Sequence, residues 1–144
     1  MEEAWLEATE VEREVEDPHF EQYIEHGVAD DSVEEIDLTS EMTTYASGST
    51  KPLDHTIKAY TRLLYGYEQM QAGDEISITA RCSDSSITYR IGIKNKATTE
   101  VDYREGSGTL MCTFSIDEAG EYSAYVENRS SVEMEVTGLA YYPE

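Results

Sequence analysis

The sequence predicts an all-β protein: an antiparallel β-sandwich of jelly-roll type behind an acidic, partly helical N-terminal arm. Three observations predict it. Between Gly73 and Tyr142, apolar and polar residues alternate with a period of two in successive short stretches. Clusters of Gly, Asn, Asp and Ser separate those stretches at regular intervals. Charged residues recur on the outward set of several stretches, the mark of sheets with one wet face and one packed face.

The arm comes first. Residues 1–41 hold 16 of the 31 acidic residues, and Arg13 is the one basic residue among them, so most of the net charge of −21 lies there. Ala4, Ala8, Val11 and Val15 stand at helical spacing up to Pro18. A second helical turn is expected over His19–His26, bringing Phe20, Tyr23 and Ile24 to one face with Gly27 as its C-cap. Residues 1–31 therefore read as an acidic arm or linker, and 32–144 as the sandwich domain.

Within the domain, Ile36 and Leu38 begin a β pattern that runs over Glu35–Thr44. Ala46–Pro52 is a loop by composition. The stretch from His55 to Asp74 suits a helix or strands. Its β-branched and aromatic content, with Gly66 inside, favours two strands or one bent strand. Ile76, Ile78, Ala80 and Cys82 share one face of the next strand. After the turn at Asp84–Ser86, Ile87, Tyr89, Ile91 and Ile93 share a face of another. Asn95–Gly108 reads as the longest exposed loop, with room for a short strand at Glu100–Tyr103. From Gly108 to Tyr142 come three consecutive strands, read as antiparallel neighbours in one sheet. Their inward sets are Leu110, Cys112, Phe114 and Ile116, then Tyr122, Ala124 and Val126, then Val132, Met134 and Val136.

Gly73-Asp74-Glu75-Ile76 and Ala119-Gly120-Glu121-Tyr122-Ser123-Ala124-Tyr125-Val126 carry a resemblance. They are similar to a "GD-x-[IV]" strand followed by an "aG-x-Y-x-x-x-V" strand. This pattern resembles bacterial pre-peptidase C-terminal domains and related jelly-roll carbohydrate-binding modules over about residues 55–142. The resemblance implies a bacterial secreted sandwich and no particular activity. Glu16-Asp17-Pro18-His19 lacks the asparagine of the pre-peptidase opening, so no calcium ligands carry over.

Composition narrows the function. A strongly acidic chain opposes nucleic acid and anionic lipid. No apolar run is long enough for a membrane span. No signal peptide is visible, since Met1 leads into Glu2-Glu3. The all-β pattern, the Ser/Thr/Tyr-rich strands and two well-placed cysteines nonetheless favour a secreted or cell-surface protein over a cytosolic one. His19, His26 and His55 lack zinc-site spacing, and no G-x-S-x-G elbow or phosphate-cradling loop is present. The expectation is therefore a non-enzyme with no cofactor, binding a glycan or an extracellular protein. The alternative is a structural or surface-display spacer.

Specific residues follow. Cys82 and Cys112 are expected to form a disulfide: if they lie opposite each other, Ile78 meets Ile116 and Ala80 meets Phe114, and the core set stays on one face. Two buried free thiols are the alternative. Asp84, Asp117, Glu118 and Glu121 sit in or beside turns where calcium could bind. Tyr125 and Tyr141 fall opposite the core sets of their strands, as do Arg81 and Arg90. A polar sheet face carrying Tyr125, helped by Tyr141 and Arg90, is the expected ligand site.

Overall fold

The computed structural model describes residues 24–39 and 50–143. The helical spacing of residues 2–17, Trp5 and Phe20 fall outside that range. The strands are β1 (Glu25–Val28), β2 (Glu34–Asp37), β3 (Thr50–Pro52), β4 (His55–Ile57), β5 (Thr61–Met70), β6 (Glu75–Arg81), β7 (Tyr89–Asn95), β8 (Glu100–Gly106), β9 (Thr109–Ser115), β10 (Gly120–Asn128) and β11 (Met134–Tyr141). They form two sheets. One has the order β1-β8-β7-β10-β5-β2; the other has β3-β11-β6-β9, with β4 also paired to β11. The core between them is built from the alternating sets: Ile76, Ile78 and Ala80 from one sheet meet Ile91, Ala124 and Val126 from the other, all at 1% exposure or less. The ambiguous stretch resolves into two strands, β4 and β5.

Several expectations give way. The three strands from Gly108 to Tyr142 are not neighbours: β9 and β11 lie in one sheet and β10 in the other. The Asp117–Ala119 turn crosses the sandwich instead of closing a hairpin. Both arrangements preserve period two and need the same turn residues, so the local pattern is blind to the difference. Within the loop expected after Asn95, the short strand allowed at Glu100–Tyr103 is present but runs on to Gly106 as β8, paired on both sides. The arm's last residues are not helical. Gly27 lies in β1 opposite Val101, so the six-stranded sheet reaches into residues assigned to the arm. Finally, β2 runs parallel to β5 among otherwise antiparallel pairs.

Cys82 and Cys112 are not joined by a disulfide. β6 and β9 do pair antiparallel with their core residues on one face, but in a different register. Cys112 lies opposite Ile78, Phe114 opposite Ile76 and Leu110 opposite Ala80. Cys82 instead sits beyond the end of the ladder, its amide donating to the carbonyl of Gly108. A slip of an even number of residues keeps every side chain on its face, so alternation alone could not choose between registers.

A β-bulge sets the curvature at the centre. Tyr65 and Gly66 of β5 oppose the single residue Ala124 of β10. Gly66 has φ 138°, in the range open to glycine. The peptide groups displaced by the bulge find side-chain partners. The Gly66 amide donates to Ser123 Oγ at 3.0 Å, while Tyr142 Oη accepts from the Ala124 amide and donates to the Gly66 carbonyl, both at 2.8 Å. Lys51 fills the space a Gly66 side chain would need. Its buried amine pairs with Glu68 at 2.7 Å and lies 4.9 Å from the Tyr142 ring centroid.

Candidate functional site

The outer face of the six-stranded sheet, where Tyr125 and Arg90 were expected to meet a ligand, is covered. The chain leaves β1 at one edge and enters β2 at the other, so residues 29–33 strap across that face. Ala29 packs there with Leu64, Val101 and Tyr125, flanked by Tyr67 and Tyr103. Tyr125 is 1% exposed, which removes it as a ligand contact. Desolvation raises its phenol well above the ordinary value, with Glu127 adding to the effect. Tyr67, half-buried at the flank, is pushed up to about 12, again mainly by desolvation.

Beside this small apolar cluster lies a network of ion pairs. Glu127 accepts hydrogen bonds from Arg62 at 2.9 Å and Arg129 at 2.6 Å. Glu35 accepts from Arg62 at 2.8 Å and Lys94 at 2.7 Å. Arg129 also donates to Asp30 at 3.1 Å, tying the strap to the end of β10. Arg90 donates to Glu105 at 2.7 Å, and its guanidinium lies 4.1 Å from the Tyr103 ring centroid, so it is committed within its own sheet. Sequence reading missed this network. Its signal was the placement of Arg62, Lys94, Arg90 and Glu127 at outward positions of adjacent strands in a chain poor in basic residues.

The carboxyls of the network predict acid sensitivity. Hydrogen bonds from the Ser32 hydroxyl and amide, supported by Arg129, hold Asp30 at about 2. Burial acts to raise Glu35, but the hydrogen bonds from Lys94 and Arg62 outweigh it and leave the carboxyl below its ordinary value. Both folded values are depressed. Their stabilisation is therefore complete above the ordinary values of 3.8 and 4.5, and for Asp30 is lost as pH falls toward about 2. The Ala29, Glu34 and Leu38 amides, which bond to Thr99, Tyr60 and Leu64, should lose hydrogen-exchange protection in that window before the core does. Opening only together with Ile91 and Val126 would refute a separately acid-labile strap.

Tyr141 lies on the opposite side of the molecule. On the outer face of the five-stranded sheet, one cross-strand row is Tyr141, Ser77 and Thr113, and the next is Leu139, Thr79 and Met111. The rings and chains stand in solvent: Tyr141 is 46% exposed, Met111 52% and Leu139 36%. Ser77 and Thr113 share a hydrogen bond of 2.8 Å between them. Neither row holds a charged residue; Arg81, also on this face, lies one row beyond Thr79, between Thr137 and Thr109. The structure thus separates Tyr141 from Tyr125 and Arg90 and places it with apolar neighbours that the sequence reading had not singled out.

A cleft of about 590 Å³ opens at the side of the sandwich. The inner faces of β1 and β8 line it with His26, Val28, Glu100 and Asp102, while Ser115, Asp117 and Glu118 line it from the end of β9 and the crossover turn. His26 Nδ1 and Asp102 Oδ1 are 2.5 Å apart. Ser115 makes no hydrogen bond to that pair among the described residues. The calcium candidates do not converge. Asp84 binds the Ser86 amide and hydroxyl, and Glu121 pairs with Lys96. Among the described residues no group of three or more His, Cys, Asp or Glu side chains is placed to hold a metal ion.

Fold and surface together define a two-sheet, all-β domain with two uncharged rows on one outer face and an acidic side cleft. No family model and no curated protein matches the chain. Among solved structures it is similar to the periplasmic inhibitor of g-type lysozyme, PliG, from Aeromonas hydrophila. Identity is 13% and the TM-score 0.49, covering 76% of this chain and 96% of that one. It is also similar to a family two carbohydrate esterase from Cellvibrio japonicus, at 13% identity and a TM-score of 0.33, covering 66% of this chain and 34% of that one. Overlaps at this level carry no argument about partner or activity.

Proposed function

We propose that the protein is a non-catalytic, extracellular or envelope binding module of jelly-roll type that docks a protein partner on the outer face of the five-stranded sheet. The observation that carries this reading is the pair of uncharged rows holding Tyr141, Leu139 and Met111 on a chain of net charge −21. Interface cores are depleted of charge and favour aromatic residues and Met, because desolvating them costs little. A sheet face with three exposed apolar side chains, of which Tyr141 alone is aromatic, fits a protein better than a sugar stacked between rings. The strand order supports the jelly-roll reading: β5-β10-β7-β8 faces a sheet in which β3 and β4 flank β11, followed by β6 and β9. The Ser/Thr/Tyr-rich strands support an extracellular site, whereas the unbonded cysteines no longer do.

The test is an array of extracellular proteins and glycans, followed by titration of any ligand found. Tyr141→Ala should leave the thermal midpoint nearly unchanged and weaken binding by about 1–2 kcal/mol, roughly 5- to 30-fold. A glycan ligand would select the carbohydrate-module reading. Binding indifferent to Tyr141, or no ligand at all, would favour the spacer.

A further inference from the structure

β9 ends the five-stranded sheet, and its last residue, Ser115, lines the acidic cleft. Alternation determines which peptide groups lie on the strand's outer edge. Ile116, just past the strand, donates to the Asp74 carbonyl and accepts from the Gly73 amide, both on the β6 side. The peptide groups of Met111, Thr113 and Ser115 therefore point the other way. The Arg104 guanidinium already donates to the Met111 carbonyl there, at 3.0 Å. Farther along, the Thr113 and Ser115 amides have no backbone partner on that side among the described residues. The inner face of β8 runs beside this edge, from Arg104 past Asp102 to Glu100, and Asp117 and Glu118 stand at the far end.

We propose that the edge of β9 accepts an extended, basic segment of a partner protein as an added strand. Main-chain hydrogen bonds to Thr113 and Ser115 would supply the binding, and alternate Lys or Arg side chains would fall on Glu100, Asp117 and Glu118. The charge selects this occupant. A second copy of so acidic a chain would bring carboxylates against carboxylates, whereas a basic strand neutralises them. The inference rests on reading the chain as a binding module and extends that reading from the outer face of β9 to its edge, so one partner could engage both.

The probes are three short capped peptides. One alternates Lys with Val. The second is the same peptide N-methylated along one edge, which keeps its charge but removes the main-chain donors. The third alternates Glu with Val. The Lys/Val peptide should bind, with affinity falling as salt rises, and should slow exchange of the Thr113 and Ser115 amides about tenfold or more. N-methylation should weaken binding about tenfold or more, and the Glu/Val peptide should not bind. Glu100→Gln with Glu118→Gln should weaken the Lys/Val peptide, whereas Tyr141→Ala should not. Equal binding by the N-methylated peptide, protection away from β9, or no binding by the Lys/Val peptide would overturn the proposal. The two readings fail separately. Tyr141-dependent partner binding without peptide binding leaves the outer face standing and removes the edge. Edge binding with no Tyr141-dependent partner does the reverse.

Discussion

Glu127→Ala is expected to cost about 3–5 kcal/mol of folding stability, the scale for removing one partner from a buried ionic cluster. Glu127 is 1% exposed and receives hydrogen bonds from both Arg62 and Arg129. Without it, Arg62, itself only 3% exposed, keeps Glu35 as its one carboxylate and faces a void. The loss should exceed that of Glu105→Ala, whose half-exposed pair with Arg90 is worth about 1 kcal/mol or less. Urea unfolding of both variants makes the comparison. A Glu127→Ala cost near that of Glu105→Ala would mean that solvent reaches the network and that the strap does not seal it.

Gly138→Ala is expected to destabilise by about 4 kcal/mol, combining a strained backbone with a forced displacement of strands. Gly138 has φ 143°, and an added Cβ would lie 2.0 Å from the carbonyl oxygen of Thr79. That oxygen belongs to the backbone of β6, so the contact is relieved only by pushing β11 and β6 apart at the centre of their sheet. Gly73→Ala is the useful comparison. Its φ of 96° is also strained, but nothing lies within 4 Å of the added atom, so only the conformational part should appear. Equal losses at the two positions would show that the close approach to Thr79 costs nothing.

Much of this architecture was legible in the residues alone. The alternating sets of β6, β7, β9 and β10 place Ile78, Ile91, Phe114 and Val126 in the core as predicted, because a pleated strand sends successive side chains to opposite faces. Gly66 counted toward two strands or one bent strand over a helix; that it sits in a bulge of β5 is seen only in the structure. Tyr141 was readable as outward for the same reason of parity. Parity also placed Tyr125 outward, correctly, but pointing outward is not the same as being exposed. The strap that buries Tyr125 comes from residues 29–33, nearly a hundred positions earlier, and nothing in the local pattern announces it.

What the sequence by itself determined was that β6, β7, β9 and β10 are strands and which face each turns to the core; β1, β3 and much of β8 lie where it predicted helix or loop. Tertiary structure alone decided three things. It set the register of β6 on β9, which separates the cysteines. It assigned β10 to the sheet opposite β9 and β11. It chose which outer face is covered and which is left open. The physical reason is common to all three. Alternation is a local property with a period of two, so it survives any even slip in register and any choice of partner strand. Register, sheet membership and coverage depend on contacts between distant segments, such as Ala29 on Tyr125 or Arg129 on Asp30, whose energies appear only when the chain has closed on itself.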